Sequence, residues 1–409
     1  MKGEWLTAAT FVAVYCGMAL GRWPGLAIDR TGVAVVGAIL LFVVGATDGP
    51  RALGAIDFPT LTILFGLMVL SAQVAASGFF DWCGAALVRT GAGPVALLCL
   101  VVGLSGALSA MLTNDVVVWA MTPVLVQALL RRGLDPRPFV IALAGAANAG
   151  SAATIIGNPQ NLLIGEVGEL AFWPFVVACG VPALLSLAAV AGVTAVVWRG
   201  RFVQGVAVVG RQEEAVPLDR AALFKACAGV AAVLLAFTLS DARAVWVLAV
   251  AGLLLVSRRL GTRRMLGMVD WHLLLLFAAL FVVTAAMADT GLPALALETA
   301  RELGFDPQGA GLLAIVSLAG SNTIGNVPLV TMLLSLGIPF DTHALYALAL
   351  FSTLSGNLLI VGSIANIIAV ERAAAEGIHI GFTDYARIGV PVTLISLAVA
   401  WGWLELIVR

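Results

Sequence analysis

The sequence predicts an all-α polytopic membrane protein: about ten transmembrane helices plus two re-entrant helical hairpins, in two inverted repeats. Three observations lead there. Of 409 residues, 61% are hydrophobic and 11% charged, whereas soluble domains carry about 25% charged residues. Apolar runs of ~20 residues, each long enough to span a bilayer as a helix, recur along the whole chain. Polar residues interrupt four of these runs, at positions that correspond between the two halves.

The spanning segments read as 5–21, 31–47, 59–77, 138–156, 172–198, 221–239, 243–257, 271–288, 343–361 and 389–406. The first follows Lys2 and has no small-residue cleavage signature, so it reads as a retained helix rather than a signal peptide. Residues 93–130 and 309–337 are interrupted by "LTND" (112–115) and "SNTIGN" (321–326), and each reads as a re-entrant hairpin. Residues 138–165 and 343–370 read as broken helices, interrupted at "IGNPQN" and "VGSIAN". "GFFDWCGAALVRTG" (78–91) and "GLPALALETARELG" (291–304) have the pattern of amphipathic helices lying at the interface.

The halves echo one another. Asp57 falls on Asp270 and Gly78 on Gly291 at an offset of 213; Gly157, Asn161 and Glu166 fall on Gly362, Asn366 and Glu371 at an offset of 205. The expected division is 1–200, first repeat; 201–220, a charged connector; and 221–409, second repeat. If both hairpins return to the side they enter from, 16 Lys and Arg residues lie on one side and 5 on the other. The rich side is expected to be cytoplasmic, with both termini outside and the chain multi-pass in the cell (inner) membrane. Five crossings per half, an odd number, make the halves inverted.

Broken helices present free N–H groups at one half-helix end and free C=O groups at the other. Inverted repeats carrying such breaks are the layout of secondary transporters. The candidate substrate or ion site therefore takes one cluster from each break: Thr113, Asn114 and Asp115; Gly157, Asn158, Gln160 and Asn161; Ser321, Asn322, Thr323 and Asn326; Gly362, Ser363 and Asn366. Gly157 lets the chain leave helical geometry, and Pro159 suits the first turn of the next half-helix. The amides offer both donors and acceptors to a solute.

Asp115 is the acid placed in these breaks, and an ionisable group at membrane depth is functional by default. Carrying a proton, ligating sodium and capping a helix all suit it. No Arg or Lys falls in the breaks, which favours a neutral hydroxyl-bearing solute over an anion. Cysteine is missing from them too, which suits release of a thiol-seeking solute.

Other classes are disfavoured. A net charge of −1 with no basic tract implies no nucleic-acid partner. The five cysteines form no CxxC, and His272, His343 and His379 do not cluster, so neither a metal site nor another cofactor is expected. No His/Asp/Ser constellation suggests an enzyme.

At these residues the chain resembles the ion transporter superfamily. "TNDVVVWAMTP" (113–123) and "SNTIGNVPLV" (321–330) look like its two hairpin motifs, and "GNPQN" and "GSIAN" like its unwound segments. "ASGFFDW" (76–82) ahead of a hairpin carrying Asn-Asp is similar to the ArsB-type arsenite/antimonite permeases. The resemblance implies a scaffold with a moving transport part. It also implies export of arsenite or antimonite in exchange for protons, sometimes with a soluble ATPase. Thr113-Asn114-Asp115 replaces the Ser-Asn-Thr of the sodium symporters, which disfavours sodium. A sodium-coupled anion or dicarboxylate symporter and a sodium/proton antiporter remain the alternatives. The second hairpin aligns two ways: the internal repeat sets Asp115 opposite Asn326, while the superfamily motif points to Ser321–Thr323.

Overall fold

The computed structural model describes residues 2–21, 25–203, 217–257 and 261–407. Residues 204–216 of the expected connector lie outside the described residues, as do Arg22, Arg211, Arg258, Arg259 and Arg409 of the charge asymmetry. The regular structure of the described chain is helical, with a 3-10 turn at Ile360–Gly362 and an antiparallel bridge between Leu134 and Val203.

Its first half runs α1 (Lys2–Leu20), α2 (Arg30–Val43), α3 (Gly49–Ala55), α4 (Phe58–Ala76), α5 (Phe79–Arg89), α6 (Pro94–Met111), α7 (Asn114–Arg131), α8 (Pro136–Ser151), α9 (Pro159–Val167) and α10 (Phe172–Val197). Its second half repeats the order: α11 (Arg220–Leu239), α12 (Arg243–Leu255), α13 (Thr262–Leu266), α14 (Trp271–Ala288), α15 (Leu292–Glu302), α16 (Ala310–Thr323), α17 (Asn326–Ser335), α18 (Thr342–Ser355), α19 (Ile364–Ala375) and α20 (Phe382–Ile407).

Local chemistry repeats with the order. Asp57 and Asp270 cap α4 and α14, each accepting from the backbone N–H three residues on. Asp341 does the same for α18, and Asp135 caps α8 by accepting from the N–H two residues on. Gly78 (φ 75°) and Gly291 (φ 72°) turn the chain from α4 into α5 and from α14 into α15, a left-handed conformation that glycine adopts without strain.

Packing repeats as well, with the halves exchanged. α4 lies along α12 as α14 lies along α2; α7 meets α19 as α17 meets α9. α6 packs on α8 as α16 packs on α18, and α10 pairs with its own counterpart α20. That is the contact pattern of a pseudo-two-fold axis through the centre of the chain.

Among the described residues six helices are long and apolar enough to cross a membrane: α4, α6, α10, α11, α14 and α20. α1, α2, α12, α16 and α17 are shorter apolar helices. α8 with α9, and α18 with α19, are the two broken helices.

The second hairpin differs from expectation. Ser321-Asn322-Thr323 forms the last turn of α16, and the tip is Ile324–Gly325. Measured from the helix starts, Asn326 matches Asn114, not Asp115, and Val327 stands where Asp115 stands. Sequence spacing misled because α17 has 10 residues and α7 has 18.

α6 and α8 cross at backbone contact. A Cβ on Gly150 would lie 2.2 Å from the Gly106 carbonyl oxygen, and Ser105 Oγ bonds the Leu143 carbonyl at 3.0 Å beside the crossing. Small residues let helix backbones approach this closely in a bilayer. Gly150→Ala is expected to cost about 1–3 kcal/mol by overpacking, measured as a lower thermal midpoint in detergent. Gly192→Ala, where a Cβ meets nothing within 4 Å, should leave it unchanged.

Candidate functional site

The two breaks in α8–α9 and α18–α19 are held open by the same device. Asn161 donates its amide hydrogens to the carbonyls of Ser151 (3.3 Å) and Thr154 (3.2 Å). Asn366 donates to those of Gly356 (2.7 Å) and Leu359 (3.1 Å). Every member of the second set lies 205 positions after its partner in the first. Carbonyls freed at a helix end need partners at membrane depth, and each asparagine supplies its own break with two.

Its donors are then spent, and its oxygen faces the other half. Asn148, on α8, donates to Asn366 Oδ1 at 3.0 Å. Thr353, which stands 205 residues later on α18, donates to Asn161 Oδ1 at 3.2 Å. Asn148 Oδ1 accepts from Ser363 Oγ at 3.1 Å; Thr353 Oγ1 accepts from Asn158 Nδ2 at 3.3 Å. Each broken helix is thus bonded crosswise to the other's continuation. Asn148 also donates to Asn357 Oδ1 (2.8 Å) and accepts from Asn114 Nδ2 (3.0 Å), so its amide makes four bonds, its full capacity. Gln160 adds a bond to Thr353 Oγ1 at 3.2 Å.

The hairpin tips close on this cluster. Asn114 N–H bonds the Gly157 carbonyl at 3.1 Å. A cavity of about 40 Å³, room for a water or two, lies between the tips, walled by Asn114, Asp115, Gln160, Asn326, Ser363 and Arg30. Asn114 Oδ1 and Asn326 Oδ1 are buried without hydrogen-bond partners among the described residues, so the wall retains accepting capacity. Asp115, half-buried at the second position of α7, also lines a neighbouring cavity of about 320 Å³ with Thr113, Trp119, Met268 and Asp270. Among the described residues its carboxylate makes no ion pair. A third cavity of about 260 Å³ shares Trp119 and Met268 and reaches Arg131, Arg264 and Arg372. The three adjoin, leading from the tips to the arginine-rich face.

On the opposite face an ion pair joins α12 to α9. Arg243, opening α12, bonds Glu166 Oε1 at 3.1 Å and the Leu170 carbonyl at 2.9 Å. Lys225 is not at the site: it donates to the carbonyls of Leu254 and Val256 at the end of α12.

The structure therefore gathers Asn114, Asp115, Asn158, Gln160, Asn161, Asn326, Ser363 and Asn366 around one centre, with Thr113 on the adjoining cavity. Ser321 and Thr323 are elsewhere. Ser321 bonds the Ser352 carbonyl, tying α16 to α18; Thr323 is exposed and bonds carbonyls of its own helix. Asn322 bonds the Leu318 and Ser355 carbonyls and abuts Gly362. Gly157 and Gly362 have ordinary φ; they are required for close approach. A Cβ on Gly157 would lie 2.4 Å from the Ser151 carbonyl oxygen and 2.9 Å from that of Ser109, both backbone. On Gly362 the nearest atom, at 2.4 Å, is a side-chain oxygen of Asn322, and the one backbone atom in the way is the Gly356 carbonyl oxygen at 2.8 Å. Gly157→Ala is accordingly expected to lose about 1–3 kcal/mol and Gly362→Ala less, compared by unfolding midpoints.

Sequence reasoning missed Asn148, Thr353 and Asn357, which carry the crosswise bonds, and Arg30, which reaches the cavity from α2. Two asparagines unexplained by any expected break were the available signal.

Comparison with known proteins follows the same line. A family profile described as citrate transporter (CitMHS) matches residues 15–340. The chain is 29% identical to an uncharacterised transporter of Mycobacterium tuberculosis over 98% of each chain. It is 27% identical to the silicon efflux transporter LSI3 of Oryza sativa over 92% of each. It is 32% identical to the inner membrane protein YbiR of Escherichia coli, covering 78% of this chain and 81% of that one. In fold it resembles the YdaH transporter of Alcanivorax borkumensis, with a TM-score of 0.59 and 17% identity over 99% and 98% of the two chains.

Proposed function

The chain belongs to the CitMHS citrate transporter family, and on that premise we propose that it exports a small uncharged hydroxylated solute, of the arsenite or antimonite class, in exchange for protons. The observation that carries the reading is Asp115: a carboxylate without an ion pair among the described residues, on the shared wall of two cavities lined, apart from Arg30 in the smaller and Asp270 in the larger, by amides, hydroxyls and apolar groups. Trivalent arsenic is carried in neutral water as an uncharged trihydroxide. Its hydroxyls suit the free oxygens of Asn114 and Asn326, and a proton on Asp115 is the natural counter-substrate. The silicon efflux relative supports a metalloid hydroxide as the solute class.

In this reading the moving part comprises α6–α10 with α16–α20, locked together by Asn148 and Thr353. The frame comprises α1–α4 with α11–α14. The two repeats, 1–200 and 221–409, are oppositely oriented in the inner membrane with both termini outside. In this reading the arginine-rich face, to which the open cavities lead, is the cytoplasmic one. Displacement of the moving part past the frame, as an elevator, gives alternating access. No step in this cycle calls for a soluble ATPase.

A second reading, sodium-coupled transport of a carboxylate anion, is favoured by one observation: Arg30 supplies the small cavity with a cation the breaks lack. The family's citrate description accords with it.

The test is metalloid content of cells lacking their own efflux system, with and without this protein, across an imposed pH gradient. Lower content that tracks the gradient is expected. Unchanged content, with sodium-dependent citrate movement in vesicles, would replace the first reading by the second. Sodium-driven proton flux with no solute would make the protein a sodium/proton antiporter.

A further inference from the structure

The repeat pairs Arg243 with Arg30, each the first residue of its helix, at an offset of 213. It pairs Glu166 with Glu371 at 205. One ion pair of this set is made. Arg243 and Glu166 meet at 3.1 Å with their side chains 13% and 14% exposed, joining frame helix α12 to α9 of the moving part. The symmetry-related pair is not made. Glu371 is exposed, and Arg30 gives its Nε to the Met18 carbonyl at 3.1 Å beside Val361, Ser363 and Ile364.

Both arginines stand at a helix N-terminus, where a cation opposes the helix dipole. Each therefore gains from a nearby carboxylate; Arg243 is ion-paired to one, whereas Arg30 shares the small cavity with Asp115 without an ion pair among the described residues. We infer that Arg30 and Glu371 form the ion pair that closes the arginine-rich face when Arg243–Glu166 is broken, the two pairs being alternatives in one cycle. The inference rests on the alternating-access reading above.

The distances agree. Arg30 is now level with the start of α19 at Ile364. Glu371 lies seven residues further along that helix, about 10 Å at 1.5 Å per residue. A shift of the moving part by about one such step toward the opposite face brings Glu371 to Arg30. The same shift carries Glu166 away from Arg243 and sets Pro159, the counterpart of Ile364, beside it. An ion pair lost on one face is replaced by an equivalent pair on the other, so neither end state is a trap. Arg372, next to Glu371 on α19, lies over the Trp119 ring at 4.4 Å, and Glu376, which follows the end of that helix, accepts from Gln127 at 3.5 Å, so both are engaged within the moving part.

The test uses the full chain in vesicles, with its five native cysteines replaced by serine. Paired cysteines are placed at Arg30→Cys with Glu371→Cys, and separately at Arg243→Cys with Glu166→Cys. Val116→Cys, on the large cavity, reports access to an impermeant maleimide. Both pairs should cross-link on oxidation and block efflux until reduced. The 243–166 link should leave Val116→Cys reachable from the arginine-rich face alone, and the 30–371 link from the other face alone. Alternating access at Val116→Cys without any 30–371 cross-link overturns the pairing while the transport reading stands. One-sided access under every condition overturns both. A charge exchange guards against variants that fail to fold. Arg30→Glu and Glu371→Arg should each lower efflux roughly tenfold, within the span of typical conformational coupling, and the double exchange should restore it; no restoration overturns the pair.

Discussion

Asp115→Asn is expected to lower gradient-driven efflux by roughly tenfold to a hundredfold, the span of a coupling free energy of about 1–3 kcal/mol, while leaving the protein folded. Asparagine keeps the size and polarity of the side chain, so the cavity walls and the α7 start retain their shape. It cannot release or accept a proton, so the exchange loses its counter-substrate. The measurement is metalloid uptake into everted vesicles with and without an imposed pH difference. Wild type should respond to the gradient; the variant should equilibrate solute at a rate indifferent to it. Gradient-dependent uptake at the wild-type rate would remove Asp115 from the mechanism.

The second large effect is structural. Asn148→Ala removes four buried side-chain hydrogen bonds, to Asn114, Asn357, Ser363 and Asn366. Interhelical bonds in bilayers average about 0.6 kcal/mol each and reach about 1.7, so the loss should be about 2–4 kcal/mol. Most of it falls on the contact between the two halves rather than inside either. Unfolding in mixed detergent should show an earlier loss of tertiary signal, and efflux should fall because the two broken helices no longer move as one. Thr353→Ala, which removes the symmetry-related bonds of a single hydroxyl, should cost less. Equal midpoints for wild type and Asn148→Ala would mean that the crosswise bonds contribute nothing to cohesion.

Much of the fold was legible because a bilayer leaves few choices. Apolar length gives spans, and polar residues inside apolar runs must be sheltered by protein. The repeat was legible because caps and turns, such as Asp57 with Asp270 and Gly78 with Gly291, are local and survive at a fixed offset. Partnerships were not legible. The sequence suggests that Asn161 and Asn366 offer amides to a solute, yet the donors of each close its own break; sequence shows that an amide is present, not what occupies it. Asn148 sits among Gly and Ala in "GAANAGS", where nothing local marks it as a hub, because its partners Asn357, Ser363 and Asn366 lie more than 200 residues away. Arg30 sits near a short inter-helix loop, and its place on the cavity follows from how α2 packs. The second hairpin was misaligned for a length difference that only helix ends reveal.

One asymmetry sets the energy balance of the proposed exchange. Val327 occupies the place in α17 that Asp115 occupies in α7, so one hairpin start carries a carboxylate and the other does not. One proton inward for one neutral solute outward moves one net charge per turnover, and the process is electrogenic. A membrane voltage of 100 mV then supplies about 2.3 kcal/mol per cycle, equivalent to a roughly fiftyfold solute ratio, even where no pH difference exists.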